Sequence, residues 1–213
     1  PPTASHPPTP SPSAARKPTP SPTPEPGAKA WTVHRGTASD LPSSWRSGCP
    51  VGPRELRLVR VPYYGFDGVT RRGELVVRAG AADAIGRTFV RLHQQRFAIR
   101  SLKKIDVYGG SDDRSMAADN TSAFNCRKVE GTSRWSQHAD GLAVDFHPRE
   151  NPYVQGREVD PPEGKPFVDR TPTRKGMIAA DGPVVRALAD IGWEWGGSWS
   201  SSKDYQHFSS NGR

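Results

Sequence analysis

The chain has 213 residues, of which Lys and Arg supply 30 and Asp and Glu 22, for a formal charge of +8. No stretch approaches the ~20 consecutive apolar residues of a membrane-spanning helix, so that class is excluded. Basic charge suits any polyanion (nucleic acid, anionic lipid or an acidic cell wall), but the arginines are scattered rather than set on one periodic face, and no nucleic-acid motif is present.

Residues 1–27 hold 11 of the 22 prolines, mixed with Ser, Thr and Ala. Such a segment has little to bury and favours extended backbone, so 1–29 is expected to be a disordered Pro-rich tail or linker. Residues 30–213 are then the size of one domain. No export signal is visible, which is how a mature secreted chain reads.

Residues 31–51 are irregular, with Pro42, Gly48 and Pro50 as breakers. ELRLVRVP, at 55–62, alternates apolar and charged side chains and predicts a half-buried strand. YYGFDGVTRRGELVV continues as strand, turn, strand, with Gly65, Gly68 and Gly73 as turn residues. Over 79–96 the period changes. Ala81, Ile85, Phe89 and Leu92 recur at three and four, which predicts an amphipathic helix. Residues 106–127 are rich in Gly, Asp and Asn and read as a long loop of the kind that builds a site.

GLAVDF reads as a short strand, and 147–175 as a Pro- and charge-rich excursion. A second helix is expected over 183–191, with Pro183 in its first turn, Val184, Leu188 and Ile191 as its buried stripe, and Gly192 ending it. DYQHF, at 204–208, reads as a last short strand. Strands and helices do not alternate strictly. The expected class is therefore α+β, a single domain with a small central antiparallel sheet flanked by helices and long loops.

Two cysteines, Cys49 and Cys126, are too few and too far apart for a cysteine zinc cluster. In an exported protein they would form one disulfide; in a cytosolic one they would be two free thiols.

Of six histidines, His6 falls in the tail and His93 on the surface of the predicted helix, while His138, His147 and His207 sit where a ligand is credible. In WSQHADGLAVD, His138 precedes an apolar run that ends in Asp145. A charged carboxylate at the end of a buried strand is costly unless a partner or a metal compensates. Gly141 between them permits close backbone approach or an unusual dihedral. KDYQHF supplies His207 as a third ligand, with Asp204 three residues earlier as an acid that could work beside the metal without binding it. Two imidazoles, one carboxylate and an open fourth position describe a hydrolytic zinc site. His147, two residues after Asp145, is the rival ligand, since in a continued strand it would face the same side. Trp193, Trp195 and Trp199 could wall a groove for a peptide or glycan, or could be packing.

These residues resemble the zinc D-alanyl-D-alanine carboxypeptidase family of peptidoglycan peptidases. SQHADGLAVD is similar to that family's SxHxxGxAxD motif, and DYQHF to its later motif of an acid, two residues and a histidine. GCPV, the loop SDDRSMAADNTSAFNCR, ENPYV and GWEWGG are similar to the subgroup that includes L-alanyl-D-glutamate endopeptidases, so the likeness covers roughly 45–210. The resemblance implies zinc held by His138, Asp145 and His207, with Asp204 as catalytic acid/base. It implies that Arg127 steadies the substrate carbonyl, with Arg114 and Arg134 as nearby competitors for that role. Ser136 matches the motif serine and, with Trp195, is a candidate substrate contact. His147 stands where similar proteins often carry Asn. The implied function is a secreted or cell-wall-associated bacterial zinc metallopeptidase, acting as a monomer on peptidoglycan stem peptides, as a D-Ala-D-Ala carboxypeptidase or an L-Ala-D-Glu type endopeptidase. Its charge would suit an anionic wall polymer. The alternatives are a non-catalytic zinc-containing module that binds cell wall, against which Asp204 and Arg127 argue, and a protein in which zinc serves stability alone.

Overall fold

In the computed structural model, which describes residues 30–213, the first half of the chain makes a four-stranded sheet with a helix across it. Strand β1 (Thr32–Arg35) pairs antiparallel with β2 (Leu56–Gly65), which pairs along its whole length with β3 (Thr70–Arg78). The expected strand–turn–strand is thus one long hairpin. Helix α1 (Ala82–Gln94) follows a 3-10 turn at Ala79–Ala81 and lays Ile85, Phe89 and Leu92 on Val59, Val61, Leu75 and Val77, all of them buried. Gly86 faces Trp31, the residue before β1, and a Cβ there would sit 2.3 Å from the indole, so the helix packs against Trp31 only because this position is bare. Strand β4 (Ala98–Ile99) returns parallel to β2.

The stretch 106–127 is not a continuous loop. It holds helix α2 (Asp112–Ala117), capped by Ser111, whose Oγ accepts the Arg114 N–H at 3.2 Å. Only Ser115 of this helix is buried, so no apolar period announces it and the cap carries the signal. Cys49 and Cys126 form a disulfide that closes a separation of 77 residues beside a second small core of Leu41, Val51, Leu56, Leu58, Val76 and Phe124.

The second half adds two further three-stranded sheets. Strand β5 (Ala143–Asp145) pairs with β10 (His207–Ser209), which pairs with β8 (Glu194–Trp195). Strand β6 (Tyr153–Gln155) lies between β7 (Glu158–Asp160) and β9 (Lys203–Asp204), so the excursion at 147–175 contains a hairpin. Helix α3 (Pro183–Ala189) ends short of Ile191, and Gly192 adopts φ 79° just beyond it. Phe146 joins the two halves: its ring stacks on Phe89 of α1 at 5.5 Å and meets Phe208 edge-on at 5.7 Å. The class is α+β in a single domain, with its strands in three small sheets and every pairing named here antiparallel except β2–β4. Among the described residues no helix is long and apolar enough to cross a membrane. The expected tail at 1–29 lies outside the described residues.

DYQHF is two strands rather than one. Asp204 ends β9 in one sheet and His207 begins β10 in another. The switch between sheets places both residues at the floor of one cleft of about 1010 Å³.

Candidate metal centre

Ser136 starts the site. Its Oγ accepts the His138 N–H at 3.3 Å and caps the 3-10 turn Gln137–Asp140. Gly141 ends that turn at φ 67°, and its carbonyl accepts the Arg78 N–H of β3 at 2.8 Å. A Cβ at Gly141 would lie 2.7 Å from that same nitrogen. The position therefore needs both the dihedral and the bare approach that only glycine supplies. The turn holds His138 facing the end of β5, and cross-strand pairing sets His207 directly opposite Asp145.

The ligand atoms of His138, Asp145 and His207 lie within 4.8 Å of one another. His138 Nε2 is 2.9 Å from Asp145 Oδ2, and His207 Nδ1 is 2.9 Å from Asp145 Oδ1. The two ring nitrogens are 3.3 Å apart. The other nitrogen of each ring is committed to a backbone carbonyl: His138 Nδ1 donates to Ala123 O at 2.5 Å and His207 Nε2 to Arg213 O at 3.2 Å. That assignment leaves two imidazole lone pairs and a carboxylate aimed at one point. Such a donor set repels itself until a proton or a cation sits between, and it fits a divalent ion with N and O ligands.

The charges respond accordingly. Burial works to raise the Asp145 carboxyl, but the imidazoles of His138 and His207 beside it outweigh that and hold it far below the usual carboxylate range. Burial opposes charge on His207 as well, yet its hydrogen bond to Asp145 and the Asp145 and Asp204 charges raise it.

Asp204 sits beside this cluster without joining it. Its Oδ1 is buried with no hydrogen-bond partner among the described residues. Burial pushes its carboxyl up to about 7, with the Asp145 charge adding to the effect against His207, His138 and Arg127. A carboxyl poised there can take up and release a proton near neutrality.

Arg127 lines the cleft, and its Nε lies 2.9 Å from Asp112 Oδ2 on α2. Sequence reasoning missed Asp112, because α2 was hidden inside a presumed loop. Arg134 also lines the cleft, whereas Arg114 is exposed on α2.

Two expectations are corrected. His147 does not reach the cluster, because β5 ends at Asp145 and the alternation stops there. Its ring is buried among Phe66, Phe97 and Phe146, with Asn151 Nδ2 at 3.0 Å from Nδ1, and burial pushes the imidazole down to about 4. Trp195 is core rather than cleft wall: its indole lies along Phe208 at 6.3 Å and its Nε1 donates to Tyr205 O at 2.9 Å. Trp199 takes the wall instead, with its ring 5.9 Å from His207. Sequence reasoning also passed over Tyr153, Glu158, Asp160 and Gln206, all of which line the cleft.

An α+β domain with two imidazoles and a carboxylate converging in a cleft, beside a spare protonatable acid, has the donor set and the proton acceptor of a metal-dependent hydrolase. Residues 130–210 match the sequence profile of the family described as D-alanyl-D-alanine carboxypeptidase. The match supports the resemblance read from the two motifs. It spans Ser136, His138, Asp145, Asp204 and His207 but stops short of Arg127. No curated protein and no solved structure matches the chain significantly.

Proposed function

We propose that the chain is a zinc peptidase that hydrolyses peptide bonds in the stem peptides of bacterial peptidoglycan, as a D-Ala-D-Ala carboxypeptidase or an L-Ala-D-Glu type endopeptidase. The observation that carries this reading is the convergence of His138, Asp145 and His207 beside an Asp204 carboxylate oxygen that has no hydrogen-bond partner among the described residues. The three ligand residues would hold zinc, which supplies Lewis acidity and lowers the pKa of water to about 7.

The protein's own groups do the rest. Asp204 takes a proton from the attacking water and returns it to the leaving amine, in keeping with a carboxyl held up to about 7 by burial. Arg127, fixed by Asp112, donates to the substrate carbonyl as negative charge develops there. Ala123 O and Arg213 O fix the tautomers of the two histidines. The disulfide fits an oxidising, extracellular location, and the basic charge fits an anionic wall.

Purified peptidoglycan incubated with the protein, with and without a chelator, tests the reading through the masses of the released fragments. Release of D-alanine, or of fragments cut after L-alanine, that stops with chelator is the expected result. Zinc binding with no fragment released would favour a binding module instead.

A further inference from the structure

Arg170 is half-buried behind the cleft, and its hydrogen bonds end on uncharged carbonyl oxygens. Nη1 donates to Glu150 O at 2.8 Å and Phe167 O at 3.1 Å, and Nη2 to Asn151 Oδ1 at 3.0 Å and Ile178 O at 2.9 Å. A planar guanidinium suits this work, since its donors point in fixed directions at several acceptors together. Burial pushes it down to about 10, which still leaves it charged at neutral pH. Its acceptors lie far apart in sequence: Glu150 and Asn151 just before β6, Phe167 at the close of the 3-10 turn Pro162–Phe167, and Ile178 beyond it. Asn151, itself fully buried, completes the tie. Its Oδ1 also accepts the Ile178 N–H at 2.8 Å, and its Nδ2 donates to Gly176 O at 3.0 Å.

The same guanidinium lies 4.4 Å from the centre of the Tyr205 ring. Tyr205 sits between Asp204 and Gln206. Those two line the cleft and Tyr205 does not, in keeping with the alternation of extended chain, so its ring backs the wall that Asp204 fronts. Its N–H donates to Pro152 O at 3.3 Å, and its carbonyl accepts Trp195 Nε1 at 2.9 Å. The next residues along each segment, Tyr153 and Asp204, stand directly opposite each other across β6 and β9.

Oδ1 of Asp204 has no hydrogen-bond partner among the described residues, so the carboxylate takes its place from the backbone that carries it. Arg170 grips that backbone from behind on both strands. The cluster of His138, Asp145 and His207 is set separately, by the turn Gln137–Asp140 and the β5–β10 pairing.

We propose that Arg170 is a positioning residue for Asp204: its guanidinium clamps the chain entering β6 to the Tyr205 ring and so holds the Asp204 carboxylate beside His138, Asp145 and His207. The catalytic consequence rests on the peptidase reading above, in which Asp204 moves the proton; the clamp itself does not.

Two measurements keep these apart. Zinc-loaded wild type and Arg170→Gln are first assayed on a soluble stem peptide that holds both candidate bonds. In the variant kcat should fall about tenfold, within what a misplacement of ~1 Å costs, while KM stays within about twofold and zinc stoichiometry is unchanged. Amide hydrogen exchange is then followed in both proteins. The Tyr205 amide should exchange about tenfold faster in the variant, while the Asp145 amide, bonded to Ser122 O at 2.9 Å, keeps its wild-type rate; a general loss of stability would speed both. Arg170→Lys, which keeps the charge but not the fork, should give the same readings and replaces Arg170→Gln if that variant does not fold. An unchanged kcat, a KM that rises as far as kcat falls, loss of zinc along with kcat, or a Tyr205 amide no faster than in wild type overturns the proposal. If the wild type cleaves nothing, the peptidase reading fails, and the Tyr205 amide alone decides whether Arg170 holds this wall.

Discussion

At the scale of single residues, the site divides its acids by environment. Asp145 lies between two imidazoles and stays ionised, while Asp204, four strands further on in sequence order but in the same cleft, is held up to about 7 by burial. The Asp204→Asn variant should therefore lose about 10²- to 10⁴-fold in kcat while keeping its metal. Turnover measured beside zinc content checks this, and loss of zinc from the variant would mean that ligand and base have been exchanged. His147 makes a separate prediction. Its folded-state imidazole is pushed down to about 4 from an ordinary 6.5, so the unfolded chain takes up a proton first as pH falls. Stability conferred by the neutral ring is complete above pH 6.5 and is lost progressively as pH falls toward 4, by ~3 kcal/mol over the whole range. Glu150, 3.6 Å from the His147 ring and raised to about 7 by burial, works in the opposite sense. The comparison is therefore between wild type and His147→Gln. The gap between their urea midpoints at pH 7 should shrink by pH 4.5.

At the scale of elements, the part of the site that was legible in the sequence is the part carried by local pattern. The three-and-four spacing of Ile85, Phe89 and Leu92 marks α1 because a helix packed on a sheet must bury one stripe. His138 and Asp145 could be paired on paper because a capped turn and a short strand separate them by a fixed distance. What depended on tertiary context stayed hidden. Helix α2 buries one serine, so its Asp112 could not be matched to Arg127. The alternation that would bring His147 to the His138–Asp145–His207 cluster fails because the strand stops. Trp195 and Trp199 look alike in sequence, and the β8–β10 pairing decides which of them is core. The turn itself is testable. Gly141→Ala would have to adopt φ 67° and place a Cβ 2.7 Å from Arg78 N. A loss of about 2 kcal/mol in urea unfolding is expected, together with weaker zinc binding because His138 rides on that turn.

At the scale of the whole molecule, two halves meet through Phe146, and the cluster of His138, Asp145 and His207 lies on the second half against a loop, 119–127, that belongs to the first. The Cys49–Cys126 disulfide anchors that loop, one residue from Arg127. Replacing both cysteines by serine should cost about 4 kcal/mol by loop-closure entropy, read as a lowered denaturant midpoint. It should raise KM or lower kcat through Arg127 while zinc stoichiometry is kept, since Asp145 and His207 pair with each other across β5 and β10 and His138 is held within its own turn by the Gly141 N–H on its carbonyl. The account as a whole depends on the cluster being a metal centre. Elemental analysis of the purified chain after dialysis against trace zinc is the most direct test. One zinc per chain is expected for the wild-type protein and for Asp204→Asn, with none retained by His138→Ala or His207→Ala. A metal-free wild type under those conditions, or full zinc in either histidine variant, would contradict it.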